Sequence, residues 1–325
     1  MAAMSLTEIP LSELEAARTR ISGAVHRTSL LPSRTLSERV GAPVFLKCEN
    51  LQKTGSFKAR GALNRLLRLT DAERARGVAT ISAGNHAQAV AWAATAAGIR
   101  SLVVMPEGAS PTKVRASRAY GAEVVLHGDA RAAFQRVFEL ADERGLTFVH
   151  PFDDVEVVCG HASCGLEILE ELPEAGTIVV PVGGGGLSSG IAAAVAATGS
   201  RAAVWGVEPE GAAAMHRSLR EGRAVHLDAP RTIADGLAAP MAGELNHAIL
   251  ATHGRGVVLV SDADIVSALK LLLERCKLLT EPAGAAGLAG LLSGAVPVDG
   301  APVVVVLSGG NVDLGQLARL LGEDV

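Results

Sequence analysis

Four consecutive glycines form the most distinctive run in the sequence. They occupy positions 183–186, between an apolar, β-branched run at 178–180 and an alanine-rich stretch that starts at Ile191. Glycines at a turn from a strand into a helix expose backbone N–H groups, and the helix N-terminus adds a positive dipole, so the two together bind a phosphate group. Glycine costs conformational entropy on folding unless its freedom is used. The run therefore predicts a phosphate site.

A dinucleotide-binding fold is the rival interpretation of the same run. Glu208 ends the next strand pattern 22 residues after Gly186, close to the roughly 20 expected for a carboxylate that binds a ribose. The glycines at 184, 186 and 190 give G-x-G-x-x-x-G, which only approaches the dinucleotide pattern. A non-catalytic nucleotide-binding domain stays open as an alternative, but it leaves other polar segments of the chain without a role.

One of these segments carries a lysine, in Gly-Ser-Phe-Lys at 55–58. A lysine amine with a lowered pKa can hold pyridoxal phosphate as a Schiff base and act as a base on the Cα atom of an amino acid. Further along lie Ser-Ala-Gly-Asn-His at 82–86, the four glycines, and Ser-Gly-Gly-Asn at 308–311. In this order the four segments resemble those of pyridoxal-phosphate enzymes of fold type II, the threonine/serine dehydratase and serine racemase family, in the short form without a regulatory domain. The resemblance extends from about Ile21 to Gly315.

The resemblance implies both a fold and a set of residue roles. The fold is α/β, with two open, largely parallel twisted sheets flanked by helices, similar to the β subunit of tryptophan synthase. Lys58 is the implied catalytic residue, Asn85 faces the cofactor's ring hydroxyl, and Ser308 bonds its ring nitrogen. The other implied cofactor contacts are Phe57, Gly183, Gly184, Gly185, Gly186, Leu187 and Gly236. The implied substrate contacts at the start of a helix, where the dipole favours a carboxylate, are Ser82, Ala83, Asn85 and His86.

A serine at the ring nitrogen favours one type of chemistry. Because a neutral hydroxyl does not keep that nitrogen protonated, the ring is a weaker electron sink, which suits elimination better than transamination. We therefore expect a pyridoxal-phosphate-dependent lyase that removes water from a β-hydroxy α-amino acid of the threonine or serine type and gives a 2-oxo acid and ammonia. The alternatives are a dehydratase for 3-hydroxyaspartate or phenylserine, and a serine racemase.

Two departures from the racemases bear on these alternatives. Racemases of this family carry a second serine where this chain has Ala83, and a methyl group cannot transfer a proton to the opposite face of Cα. Their divalent metal site would fall on Glu208, Ala212 and Ala214, where only one carboxylate remains. We expect little racemisation and no metal.

Two further departures concern the side chain of the substrate. Where dehydratases of this family usually have Gly-Gln-Gly-Thr, this chain has Gly-His-Ala-Ser at 160–163, and Arg131 replaces an apolar residue. Both segments border the substrate in the family. If Arg131 and His161 line the pocket, the β-substituent is expected to be a carboxylate or an aromatic ring, since arginine pairs with one and stacks on the other.

Alternating strand and helix patterns position these segments. Short apolar runs end near residues 46, 81, 105, 126, 149, 180, 207, 260 and 307, with amphipathic patterns between them, as in an α/β fold with parallel sheets. Ser12 and Glu15 predict a capping box for the first helix. The compact set of strand signals in 74–149 predicts a small substrate-binding domain, inserted in a large cofactor-binding domain made of 1–73 and 150–325.

Composition narrows the remaining classes. The 325 residues are 49% hydrophobic and 20% charged, with a net charge of -4 and no long basic run, so disorder and nucleic-acid binding are not expected. No segment has the roughly 20 strongly apolar residues of a membrane span. The four cysteines form no C-x-x-C pair, which is typical of reduced thiols in the cytoplasm. The family resemblance adds an expected homodimer that takes a small amino-acid substrate.

Overall fold

The computed structural model describes residues 7–322, and strands and helices alternate along most of this range. The strands are β1 (Leu30–Pro32), β2 (Val44–Lys47), β3 (Val78–Ile81), β4 (Ser101–Met105), β5 (Glu123–Leu126), β6 (Thr147–Phe148), β7 (Thr177–Pro181), β8 (Ala203–Pro209), β9 (Gly256–Val260) and β10 (Val303–Val306). The α-helices are α1 (Leu11–Ile21), α2 (Arg34–Val40), α3 (Lys58–Leu67), α4 (Asp71–Arg76), α5 (Asn85–Ala96), α6 (Pro111–Ala119), α7 (Ala130–Arg144), α8 (Val155–Glu171), α9 (Gly186–Thr198), α10 (Ala214–Glu221), α11 (Glu244–His253), α12 (Asp262–Leu271), α13 (Pro282–Leu292) and α14 (Leu314–Gly322).

The larger sheet has six strands in the order β1-β2-β10-β7-β8-β9. Only β1 runs antiparallel to its neighbour; β2, β10, β7, β8 and β9 are mutually parallel. Every residue of β7 and β10 is buried, because helices cover both faces of the sheet. This burial explains why those strands are continuous apolar runs in the sequence.

The smaller sheet has four parallel strands in the order β5-β4-β3-β6. All four come from one continuous stretch of chain, 78–148, which lies within the predicted small domain of residues 74–149. The division of the chain into two domains with these bounds stays a prediction.

The predicted α/β architecture with two largely parallel sheets is confirmed. Nine of the observed strands overlap the nine predicted runs, and the tenth, β1, was missed because three residues, one of them a proline, carry too little periodicity. The capping box predicted at Ser12 and Glu15 is wrong. The helix starts at Leu11, two residues earlier than an N-cap at Ser12 predicts, and its N-cap position is Pro10, which makes no side-chain hydrogen bond.

Helix boundaries elsewhere follow local chemistry. A capping box between Ser261 and Asp264 starts α12, and Pro111 occupies the first turn of α6, where its missing N–H is not needed. No helix within residues 7–322 is long and apolar enough to cross a membrane.

Candidate active site

A cavity of about 360 Å³ is lined by residues that follow the carboxyl ends of β3, β7 and β10. Loops at this edge of parallel strands are the usual place for a ligand site in α/β proteins. Most of the site residues predicted from the sequence meet here. They are Phe57, Lys58, Ser82, Ala83, Asn85, His86, Gly183, Gly184, Gly185, Gly186, Leu187, Gly236 and Ser308.

Lys58 is the first residue of α3. Its Nζ atom donates a hydrogen bond to the carbonyl oxygen of Pro151 at 2.6 Å and lies 5.0 Å from the centre of the Phe57 ring. Burial lowers the pKa of Lys58 to about 8, because the charged ammonium is poorly solvated there. The amine is therefore neutral, and nucleophilic, more often than an exposed lysine at the same pH.

Buried ion pairs anchor the helix that carries Lys58. Arg60, two residues further along α3, is fully buried and pairs with Glu49 at 2.8 Å and with Glu167 at 2.6 Å. Glu167 also accepts a hydrogen bond from buried Lys47 at 2.7 Å. Burial by itself would raise the pKa of Glu49, but the Arg60 guanidinium outweighs it and holds that pKa below its usual value. These contacts hold α3 in place, and with it the backbone of Lys58.

The four glycines connect β7 to α9. Gly185 has φ of +100°, a left-handed conformation that favours glycine, and it is the N-cap residue of α9. Beside it, Gly184 packs so tightly against the ring of Phe152 that a β-carbon would clash with it. The loop lines the cavity at the start of α9, where the first backbone N–H groups of a helix have no partner within that helix. The loop therefore has both the shape and the donors of an anion site.

Ser308 and Asn85 lie on other parts of the cavity wall. Ser308 follows β10 and is buried, and its carbonyl oxygen accepts a hydrogen bond from the backbone N–H of Phe57 at 3.1 Å. The Asn85 Nδ2 atom donates to the Oε1 atom of Glu281 at 2.6 Å, while Asn85 Oδ1 accepts from Nδ2 of Asn311 at 2.8 Å. These two bonds fix the amide of Asn85 in one orientation.

The donor set fits pyridoxal phosphate. Lys58 offers a poorly solvated amine that can bond to the aldehyde carbon, the loop 183–187 offers an anion cradle for the phosphate, and Ser308 offers a hydroxyl for the ring nitrogen. All three face one cavity, whose volume lies within the range found for cofactor sites. When bound, pyridoxal phosphate withdraws electrons from the Cα atom of an amino acid.

The segment 82–86 lines the cavity at the start of α5. Ser82 Oγ accepts a hydrogen bond from the N–H of Gly84 at 3.1 Å, so that hydroxyl shapes the turn. His86 is almost fully buried, and its Nε2 atom lies 3.3 Å from the carbonyl oxygen of Val149. Burial first, and then the charge of Lys58, lower its pKa well below the usual value, so His86 is a neutral imidazole that bonds to the protein backbone.

The structure does not bring Arg131 and His161 to the cavity wall. Arg131 is exposed on α7, and its neighbour Ala130 lines the cavity instead. His161 is fully buried on α8 with its ring centre 4.7 Å from that of Phe57. Neither ring nitrogen of His161 has a hydrogen-bond partner within the described chain. His161 thus packs behind Phe57, which lines the cavity. The roles of Arg131 and His161 in substrate binding stay predictions.

Three charged cavity residues were missed as site residues, namely Lys113, Asp235 and Glu281. Burial, followed by the charge of Asp235, raises the pKa of Glu281 to about 7, while Lys113 and the hydrogen bond from Asn85 oppose that rise. The sequence signal for Glu281 was only a Glu-Pro step before an apolar helix. Its position beside Asn85, 196 residues away along the chain, follows from the tertiary fold alone.

Glu208 is the one acidic residue among the three positions where racemases of the family have a metal site, and it contacts backbone N–H groups. Its two carboxylate oxygens accept hydrogen bonds from the N–H groups of Met215 and His216, both at 2.8 Å, at the start of α10. Within residues 7–322, no group of three or more histidine, cysteine or acidic side chains is placed to hold a metal ion. The structure therefore gives Glu208 the role of a helix cap.

Comparison with known proteins gives several close relatives. An L-threonine ammonia-lyase from Thermotoga maritima is 42% identical over 97% of this chain and 79% of its own length. An L-threo-3-hydroxyaspartate ammonia-lyase from Saccharomyces cerevisiae is 38% identical over 94% of each chain. A phenylserine dehydratase from Ralstonia pickettii is 41% identical over 99% of each chain.

Solved structures of proteins with related names are also similar to this chain. A threonine deaminase from T.th. superposes with a TM-score of 0.89 at 43% identity, covering 94% of this chain and 99% of that one. Maize serine racemase superposes with a TM-score of 0.91 at 36% identity, covering 96% of both chains. A model of the family described as "Pyridoxal-phosphate dependent enzyme" matches residues 21–309. By its motifs, its fold and this match over most of its length, the chain belongs to the family of pyridoxal-phosphate-dependent enzymes.

Proposed function

We propose that this protein is an ammonia-lyase that eliminates water from L-threonine or L-serine and releases a 2-oxo acid and ammonia. Relatives named as threonine ammonia-lyases or dehydratases, 39–45% identical over at least 95% of this chain, support this activity. The other support is the site itself, in which a lysine of lowered pKa faces one cavity together with the glycine loop and Ser308.

The apolar wall of the cavity is the observation that favours threonine or serine. Apart from the segments assigned to the cofactor and the substrate carboxylate, the cavity is lined mainly by Ile81, Pro106, Ala130, Pro151, Phe152, Leu237, Ala238, Ala239, Pro240 and Ala283. Lys58 and Lys113 are the cationic side chains in the described lining, and Lys113 is already paired with Asp235. A small, neutral β-substituent fits this surface without leaving a buried charge unpaired.

Different residues of the protein bind the substrate and transfer the proton. The start of α5, at 82–86, binds the substrate carboxylate with backbone N–H groups. Lys58, once its amine is free, takes the proton from Cα, and its lowered pKa keeps the amine neutral for that step. The Cβ–O bond then breaks, and the hydroxyl leaves as water with the proton that was taken from Cα. The product is an enamine, which hydrolyses in solution to the 2-oxo acid and ammonia.

Phenylserine is a second candidate substrate, and the observation that favours it is Phe152. The ring of Phe152 lines the cavity, and the His150 ring lies 4.6 Å from it in a T-shaped arrangement. Aromatic pairs of this type add roughly 0.5–1.5 kcal/mol beyond the burial of apolar area. A phenyl β-substituent could therefore stack here, in line with the name of the relative from Ralstonia pickettii.

A substrate panel tests the proposal. Purified protein with pyridoxal phosphate is given L-threonine, L-serine, L-threo-3-hydroxyaspartate and L-threo-phenylserine, and 2-oxo acid release is measured as kcat/KM. We expect threonine or serine to rank first, and Arg131→Ala to leave the ranking unchanged because Arg131 is exposed. A preference for 3-hydroxyaspartate that Arg131→Ala reverses would show that the arginine reaches the substrate. No release from any of the four would refute the proposed activity.

We also infer a cytoplasmic homodimer. The described chain contains four free cysteines, three of them buried, and burial raises the pKa of Cys48 and Cys159 to about 12. Unreactive reduced thiols suit a reducing compartment. The dimer rests on resemblance to the family, and light scattering coupled to size-exclusion chromatography tests it.

A further inference from the structure

An ion pair joins the small-sheet side of the cavity to the large-sheet side. Lys113 lies on α6, which packs with the four-stranded sheet, and Asp235 lies in the short 3-10 turn Asp235–Leu237 beyond β8. Lys113 Nζ donates to Asp235 Oδ2, and both residues line the cavity. The neighbouring Thr112 hydroxyl donates to Oδ2 of Asp313 at 3.3 Å, which adds a second contact between the two sides.

A deeper contact joins the same two sides of the cavity. Asn85, at the start of α5, bonds to Glu281 and Asn311 at 2.6 and 2.8 Å. The two contacts differ in their access to water: Glu281 is 3% exposed, whereas the side chain of Asp235 is 52% exposed and that of Lys113 is 16% exposed. The outer contact can therefore exchange its partner for water, while the inner one cannot do so without leaving buried polar groups unpaired.

The strength of the outer ion pair suits repeated opening. A partly exposed pair changes an equilibrium constant by about fivefold at most, so it favours one arrangement without locking it. Lys113 and Asp235 also line the same cavity as Glu281, and their charges act on its pKa in opposite directions, Asp235 raising it and Lys113 lowering it. The charge of Lys113 therefore offsets the repulsion between the carboxyl groups of Asp235 and Glu281.

We propose that Lys113 and Asp235 form a latch that closes the mouth of the cavity over the bound amino acid, with the contact of Asn85 and Glu281 as the fixed side of the closure. Substrate enters and product leaves when the latch is open. Both residues thus act as positioning residues, because they hold the substrate in place without taking part in bond making. This inference rests on the proposed function, since it assigns the retained ligand to the amino-acid substrate.

Kinetics of matched variants test the latch. Lys113→Met keeps much of the side-chain bulk and removes the charge, and Asp235→Asn removes the other charge. Each should raise KM for L-threonine about two- to fivefold, with a smaller change in kcat, because a weak ion pair is lost. The double variant should be no worse than either single variant, since both remove the same interaction. The control is Arg144→Met, which breaks the exposed Arg144–Glu123 pair on the same four-stranded unit and should leave KM unchanged.

Hydrogen exchange gives a readout that is independent of turnover. The holoenzyme and the Lys113→Met variant are compared without ligand and with L-alanine, an amino acid that has no β-leaving group. Backbone amides of α6 should exchange faster in the variant, and L-alanine should slow them in the unmodified protein more than in the variant. Equal exchange of α6 in both proteins, or unchanged KM in both single variants, would overturn the latch. If the unmodified protein releases no 2-oxo acid, the proposed function fails, while the exchange experiment still tests the latch.

Discussion

The ring of Phe152 lies directly against the α-carbon of Gly184, so a β-carbon at position 184 would overlap the ring carbons. The same phenylalanine packs against Gly186, and its carbonyl oxygen accepts a hydrogen bond from Asn246 Nδ2 at 3.0 Å. Close packing against Phe152 therefore requires a glycine at position 184, whether or not the loop binds a phosphate, whereas a β-carbon at position 186 would make only a tight contact. Phe152 supports the loop from behind and lines the cavity at the same time.

Gly184→Ala should weaken cofactor binding. The added methyl group displaces the ring of Phe152 or the loop, and either change moves the N–H groups of the anion cradle. We expect the Kd for pyridoxal phosphate, measured by absorbance titration, to rise at least about tenfold, since overpacking costs roughly 1–3 kcal/mol. Combining it with Phe152→Ala removes the clash and should restore part of the affinity. Gly108→Ala, at a site with open space around it, is the control.

Lys58 should be the lysine that carries the cofactor. The purified protein should absorb in the visible range, and borohydride should fix the cofactor on the peptide that contains Lys58, as read by mass spectrometry. Lys58→Ala should abolish turnover, because the amine that bonds the cofactor and the base for Cα are lost together. Lys270→Ala, on α12, should keep the label on Lys58. A label on any other lysine would contradict the assignment.

Ala83→Ser should add racemase activity. Ala83 lines the cavity, and a hydroxyl there would supply a proton donor on the face of Cα opposite Lys58. The unmodified protein should eliminate water from one enantiomer of serine with little interconversion of L- and D-serine. Chiral chromatography of the two enantiomers measures that interconversion. Comparable racemisation and elimination in the unmodified protein would show that another group already serves as the second acid.

Glu281 should make stability depend on pH near neutrality. Burial, then the charge of Asp235, raises its pKa from 4.5 to about 7 in the folded protein. A carboxyl with a raised pKa contributes its full stabilisation below about 4.5 and loses it as the pH rises through about 7. Between pH 5 and pH 8, the free energy of unfolding measured with urea should therefore fall by roughly 1–3 kcal/mol more in the unmodified protein than in the Glu281→Gln variant. Exposed Glu174→Gln is the control and should follow the unmodified protein.

Local patterns were sufficient to predict most of the fold. Buried parallel strands such as β7 and β10 are continuous apolar runs, and turns at glycine and proline separate them from helices, so strand order along the chain could be read directly. β1 was missed because a three-residue edge strand has no periodicity to detect. The helix start at Leu11 was misplaced because a Ser-x-x-Glu pattern can lie inside a helix as well as at its N-terminus.

The candidate site was predicted where its residues follow one another in short motifs. Lys58, the glycine loop and Ser308 were identified because their motifs resemble those of the pyridoxal-phosphate enzymes, and the structure brings all three to one cavity. Their individual roles stay predictions. The signal failed for residues whose role depends on distant partners. Glu281 and Asp235 reach the cavity only through the packing of separate loops. Arg131 was considered because its segment borders the substrate in the family; it is exposed on α7, and its role in substrate binding stays a prediction.

β3 and β6, the first and last strands of the four-stranded unit (residues 78–148), pair with each other. The two connections of this unit to the rest of the protein therefore lie side by side. The chain enters this unit at Val78 and leaves it after Thr147 and Phe148, and Val78 pairs directly with Thr147. Its two ends are thus neighbours, as in segments that tolerate insertion into other proteins. Residues 78–148 form a cassette with two adjacent junctions, which carries Ala83, His86 and Lys113 but none of the glycine loop. Exchange of this cassette between relatives would replace the start of α5, including Asn85, and leave the phosphate cradle in place, so the contacts to the amino acid can diverge while the phosphate site stays constant.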